Sequence, residues 1–231
     1  MMKLTWLGHS GFRIETGDAV ILLDPFLTGS PVFPDDKRGE AIKGATHILL
    51  THGHGDHASD AVPIAKELSI PIYCIHELSI ILGAEGAEVV GFGKGGTVDI
   101  GGAKVTMVNA THSASIDYKG GDPIYAGQPA GFMIAAEDHT IYVSGDTDIM
   151  ADMEWMGELH QPDIGILAAG GHYTMNMERA AWAAKKYFDF KTVIPCHYKT
   201  FGLLEQSAQP LIDGLAGVNV IEPEILKPIE I

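Results

Sequence analysis

Four side chains able to bind a divalent cation fall within six residues of the run THGHGDH, Thr51 to His57: His52, His54, Asp56 and His57. Gly53 and Gly55 stand between them, and glycine lets the chain fold tightly around an ion. A solvated surface has no need of that spacing. A catalytic zinc takes roughly four or five nitrogen and oxygen ligands at about 2.0–2.2 Å and keeps one position for water. One short loop cannot close such a sphere. Three further candidates stand directly after apolar runs: His112 in NATHSAS, Asp146 in VSGDTD and His197 in IPCHYKTF. At a strand end such a side chain can turn into a shared cleft, and the chemistry the set suggests is metal-assisted hydrolysis.

The elements that must position these residues are legible as short apolar runs bounded by Gly, Pro or Asp: KLTWLGH, GFRIET, AVILLDPF, THILLTH, PIYCI, AKVTMVNATHS, AGFMIAAE, TIYVSGD, DIGILAAG and TVIPCHY. Several are continuously apolar, the pattern of strands covered on both faces. Helical spacing marks SDAVPIAKEL, ELSIILGA, ADMEWMGELH, MERAAWAAKKYF and EQSAQPLIDGLAG. Strands dominate both halves with helices interspersed, so two sheets under outer helices fit better than one doubly wound sheet. The halves are candidates for distant structural duplicates. Residues 28–43, TGSPVFPDDKRGEAIK, read as an irregular loop, either near the mouth of the site or a plain surface connection.

The ligand-bearing segments, in this order, resemble the metallo-β-lactamase superfamily. The wider wording, LGHSGF, LLDPF, PAGFMI, IYVSGDT, GHYTMN and CHYKTF, resembles a bacterial branch of metal-dependent hydrolases over nearly the whole chain. That branch is related to L-ascorbate-6-phosphate lactonase and, more distantly, to N-acyl-phosphatidylethanolamine phospholipase D. The resemblance implies an α+β fold, a four-layer αββα sandwich, as one domain over residues 1–231. It implies that His52, His54 and His112 hold one metal, that Asp56, His57 and His197 hold the other, and that Asp146 bridges them. The expected cofactor is two divalent ions, zinc first, with Mn, Fe or Ni also suited to imidazole. Such a pair lowers the pKa of a shared water, and the bridging hydroxide is the expected nucleophile. Asp56 or Asp146 would accept the hydrogen bond that orients the attacking oxygen.

Other residues are weaker candidates. His9, in WLGHSGF, either contacts substrate, supports a ligand, or is a hydrogen-bonded histidine at a strand end. Asp24, in LLDPF, is expected to support the histidine loop from behind the ligands. His172, in AAGGHYTMN, stands where the branch more often carries Gly-Asp. It is a candidate general acid or substrate clamp, against an exposed loop position. Tyr198 and Lys199 follow a ligand directly and are candidate substrate contacts, with Lys199 able to attract an anionic group. His47, His76, His139 and His160 are read as structural or surface residues, and Met175 and Met177 as packing.

Composition bounds the function. A formal charge of −15, with 15 scattered Lys and Arg residues, makes nucleic acid a poor partner. No apolar run approaches the roughly 18 residues of a membrane span. The N-terminus enters an alternating pattern with no leader signature, so the expectation is a cytoplasmic protein. Cys74 and Cys196 lie in apolar segments and read as buried free thiols. The expected activity is hydrolysis of a small anionic or carbonyl-containing metabolite, of lactone or phosphoester class. The competing classes are a nuclease or RNA-processing phosphodiesterase, and a non-hydrolytic, redox-active dimetal protein. Relatives make a homo-oligomer plausible.

Overall fold

The computed structural model describes all 231 residues. Two seven-stranded mixed sheets carry the chain. In the first, Lys3–Gly8, Gly11–Thr16 and Ala19–Leu23 form an antiparallel meander, and His47–Leu49, Ile72–Ile75 and Val89–Phe92 continue it in parallel. In the second, Thr97–Ile100, Ala103–Asn109, Ala130–Ala136 and His139–Val143 are antiparallel, followed in parallel by Ile164–Ala168, Thr192–Cys196 and Asn219–Val220. Each sheet thus runs from a meander into parallel strands joined by helical crossovers. This shared pattern agrees with the duplicate reading of the halves. The strand Pro228–Glu230 returns to pair with Lys3–Thr5 at the edge of the first sheet.

The continuously apolar segments are the doubly covered strands. Ile164–Ala168 is buried at every position, and Ala130–Ala136 at all but one. One cluster of 66 buried hydrophobic residues spans both sheets and the inner faces of the helices. The helix Met177–Tyr187 contributes an alanine face, Ala180, Ala181, Ala183 and Ala184, which lets it approach closely, and Asn176 caps it by accepting from the Arg179 amide at 2.8 Å. Met175 and Met177 are buried, as are Cys74 and Cys196, both free thiols. No helix is long and apolar enough to cross a membrane.

Residues 28–43 are less irregular than their sequence suggests. They hold a single 3-10 turn, Asp35–Lys37, and a short helix, Arg38–Ile42, whose inner residues Ala41 and Ile42 are buried. Arg13 pins this helix by donating to the carbonyls of Ala41 and Lys43. None of these residues lines the cavity described below, so the segment is a connection rather than part of the mouth.

Candidate metal centre

The site lies where parallel strands of both sheets end, the position at which open α/β sheets place their ligands. The first sheet delivers the histidine loop from the end of His47–Leu49. The second delivers His112, Asp146 and His197 from beyond Asn109, Val143 and Cys196. Four non-glycine residues here take left-handed backbone: His9 (φ 49°), Asp24 (φ 42°), His197 (φ 58°) and Lys199 (φ 62°). That conformation costs of order 1–3 kcal/mol each and persists where contacts impose it. Here the His197 amide donates to the His9 carbonyl at 3.0 Å, and the Asp24 amide to the Leu49 carbonyl at 3.0 Å.

Ligand atoms converge in overlapping groups whose members lie within 4.8 Å of one another: His52, His54 and His112; His9, Asp56, His57 and His197; and His52, His57 and Asp146. Asp146 stands between the first two. Its Oδ2 is 3.0 Å from His197 Nε2, 3.3 Å from His57 Nε2 and 3.6 Å from His112 Nε2. The structure therefore brings together all seven residues expected as ligands, with one carboxylate oxygen in reach of both sets.

The donor set fits divalent cations. His57 Nε2 and Asp146 Oδ1 are buried with no hydrogen-bond partner, and an orphaned buried polar atom is costly unless something else satisfies it. Burial opposes charge on His57, yet the carboxylates of Asp146, Asp56 and Asp24 outweigh it and hold its pKa well above the ordinary value. Burial alone would raise the Asp146 and Asp56 carboxyls. His197 and His57 hold Asp146 well below the usual range, while His57 and the His9 hydrogen bond hold Asp56 down. Burial keeps His52 and His112 neutral, the form that binds metal. Such a cluster is arranged around positive charge.

Behind the ligands, Asp24 carries out the expected support. It accepts from the Thr51 amide at 2.8 Å, the Thr51 hydroxyl at 2.6 Å and His57 Nδ1 at 2.8 Å, and the Thr51 hydroxyl in turn lies 3.0 Å from His52 Nδ1. One carboxylate thus orients a ligand of each set. Asp60 accepts instead from the Leu27 and Thr28 amides and the Thr28 hydroxyl. Asp117, which the sequence does not mark, accepts from the Gly55 amide at 2.8 Å between two ligands. A side chain at Gly55 would come within 2.9 Å of Tyr118 Cβ, so glycine is required there.

Four weaker candidates do not line the cavity described below. His9 is fully buried and meets Asp56 Oδ2 through Nε2 and Thr200 Oγ1 through Nδ1, both at 2.9 Å. With both nitrogens engaged it is placed to position Asp56. Burial pushes its imidazole down to about 4 against the pull of that hydrogen bond, so it is a neutral donor to Asp56. Tyr198 is also fully buried, its ring stacked on Trp6 at 5.9 Å. The strand ends at Cys196, and the left-handed turn at His197 that directs its ring into the site leaves Tyr198 turned into the core. Lys199 faces outward, 2.7 Å from Glu222 Oε2 and over the Tyr198 ring. His172 is exposed and lines a neighbouring depression with Gly171, Asn176 and Glu205, away from the ligands.

What lines the cavity, about 490 Å³, is His54, Gly55, Asp56, His112, Ser113, Asp117, Tyr118, Asp146, Tyr173, His197 and Phe201. Tyr173, next to His172, is the residue of the GGHY turn that reaches it. His47, His76, His139 and His160 stay outside, with His139 held by Asp163 at 2.7 Å.

Residues 20–198 match the sequence profile of the beta-lactamase superfamily domain. The chain is 69% identical over 229 residues to the UPF0173 metal-dependent hydrolase of Paracoccus denitrificans, covering 99% of each. It is similar to the structure of Igni18, a metallo hydrolase from the archaeon Ignicoccus hospitalis, at 31% identity and a TM-score of 0.83, over 100% of this chain and 99% of that one. The metallo-beta-lactamase fold protein YhfI of Bacillus subtilis shares the fold at 19% identity and a TM-score of 0.74, covering 100% of both chains.

Proposed function

We propose, from the premise that this chain belongs to the beta-lactamase superfamily and within it to the UPF0173 metal-dependent hydrolases, that it holds two divalent ions and hydrolyses a small neutral carbonyl compound of lactone class. One observation carries the choice of substrate: no lysine or arginine lines the cavity, whereas three carboxylates do, Asp56, Asp117 and Asp146. A pair of ions would meet part of a phosphoester's charge, but the cavity adds no cationic side chain for the rest, and Asp117 opposes it. Lys199 and His172, the residues that could have met it, face elsewhere. A neutral carbonyl needs no such partner. The same lack of basic side chains speaks against a nucleic-acid substrate.

Bound at these seven ligands, a pair of divalent cations supplies Lewis acidity and an activated water. The chain supplies the rest. Asp56 lines the cavity with Oδ2 engaged by His9, and besides holding an ion its carboxylate would orient the attacking water and take its proton. His9, locked between Asp56 and Thr200, fixes the rotamer that makes this possible. Asp56 is then placed to return the proton to the leaving oxygen, which in a lactone stays tethered to the product. Asp24 holds His52 and His57 in register from the side away from substrate.

Protein purified without chelator is expected to carry about two divalent ions per chain, and chelation to abolish turnover. The loaded protein is expected to open γ-lactones at least roughly a hundredfold faster than it cleaves bis-nitrophenyl phosphate or single-stranded RNA. Full activity with one ion at most would overturn the two-ion site. Phosphodiester cleavage at a matching rate would overturn the carbonyl assignment.

A further inference from the structure

The cavity has two unlike parts. Its floor is the ligand cluster, whereas Tyr118, Tyr173 and Phe201 contribute three aromatic rings that the hydrolytic step does not use. The rings arrive from three separate segments. Tyr118 sits in the turn between the short paired strands Ser115–Ile116 and Ile124–Tyr125. Tyr173 belongs to the turn between Ile164–Ala168 and the helix Met177–Tyr187, and Phe201 follows the strand Thr192–Cys196. Tyr173 is 61% and Phe201 37% exposed. Large rings left open to water and gathered at a concave site mark a surface kept for an apolar ligand.

Phe201 and Tyr118 are also braced by the site, whereas Tyr173 meets the likewise exposed His172. Phe201 stands edge-on to His9 with centroids 5.6 Å apart, Tyr173 edge-on to His172 at 4.6 Å, and Tyr118 rests against Gly55. Preset walls cost a ligand less ordering than mobile ones. The charged residue beside them, Asp117, would repel an anionic tail, and the lysine of the same turn, Lys119, is paired with Glu85.

We infer that Tyr118, Tyr173 and Phe201 form a subsite for an apolar substituent next to the scissile carbonyl, so that the preferred substrate carries an alkyl or aryl tail. The inference rests on the hydrolase reading for the position of the carbonyl, but the subsite can be measured without turnover.

Metal-loaded protein would be titrated with γ-lactams bearing alkyl tails of increasing length, which mimic a lactone and resist hydrolysis. Each methylene that leaves water is expected to tighten binding by up to roughly fourfold until the subsite is full. Tyr118→Ala, Tyr173→Ala and Phe201→Ala are expected to flatten that series, and Tyr118→Phe to keep it, with circular dichroism and metal content checking that each variant is folded. In parallel, KM for the matching lactones should fall with tail length while kcat changes little. Lactam affinity independent of tail length, or a series unchanged in all three alanine variants, would overturn the subsite. Tail-dependent lactam binding with no cleavage of any lactone would leave the subsite standing and overturn the hydrolase reading.

Discussion

Asp24 never reaches the cavity, yet it decides where two ligands point. Its carboxylate takes the Thr51 amide, the Thr51 hydroxyl and His57 Nδ1, and through Thr51 it steers His52. Asp24→Ala is therefore expected to weaken metal binding by roughly 10–100-fold, as loss of a carboxylate behind a ligating histidine does. Competition with a coloured chelator would measure it, and unchanged affinity for both ions would show that the histidine loop keeps its shape without Asp24. On its own an aspartate before Pro25 reads equally as the start of a turn, so it is through the resemblance of LLDPF to a superfamily motif that this residue is legible in the sequence. Asp117 is not, since its partner Gly55 lies 62 positions away and only the fold joins them. Proximity along the chain misleads in the same way. Tyr198 and Lys199 adjoin a ligand, but the left-handed turns at His197 and Lys199, beyond the end of the strand, send one into the core and the other to Glu222.

Strand ends are what make the ligand set possible, and their spacing depends on close approach between neighbouring segments. Ala169 donates to the Cys196 carbonyl at 3.0 Å as the two parallel strands finish, and a Cβ at the next residue, Gly170, would collide with the His197 carbonyl and sit 2.9 Å from His197 Nδ1. Gly170→Ala is expected to cost about 1–3 kcal/mol by overpacking and to lower metal occupancy by displacing His197. Gly202→Ala, with nothing within 4 Å of the added atom, should do neither. Denaturant unfolding and metal analysis of both variants would decide, and an unchanged midpoint for Gly170→Ala would mean the loop yields freely. At this scale the sequence is read most easily. Each strand and helix identified from apolar periodicity has its counterpart, because burial on one or both faces writes itself into residue pattern. The missed strands bury too little to leave one: Ser115–Ile116, Ile124–Tyr125 and Asn219–Val220 are two residues each, Val89–Phe92 and Pro228–Glu230 bury no residue, and Thr97–Ile100 buries a single one. The missed helices Arg38–Ile42 and Gly55–Ala58 are too short to show a period.

Across the whole molecule, the site joins the two sheets. His52, His54, Asp56 and His57 come from the first sheet, and His112, Asp146 and His197 from the second. A cation shared between His52, His54 and His112, or between His57 and His197, therefore ties the two sheets together as well as satisfying the orphaned His57 Nε2 and Asp146 Oδ1. The unfolded chain offers no such convergence, so binding free energy becomes folding free energy. At free metal about a thousand times Kd the gain is about 4 kcal/mol per site, and in a chain of this length about 1 kcal/mol moves Tm by roughly 2–4 °C. Filling one site should thus raise Tm by roughly 8–16 °C over the chelated protein, with a larger rise when both are filled. Asp146→Asn, which removes the charge shared by both sets, should shrink the rise. Scanning calorimetry across a metal titration would test this. A Tm that stays constant through demonstrated binding would mean that the two sheets meet as firmly without the ions, and that the ligands are gathered by packing alone.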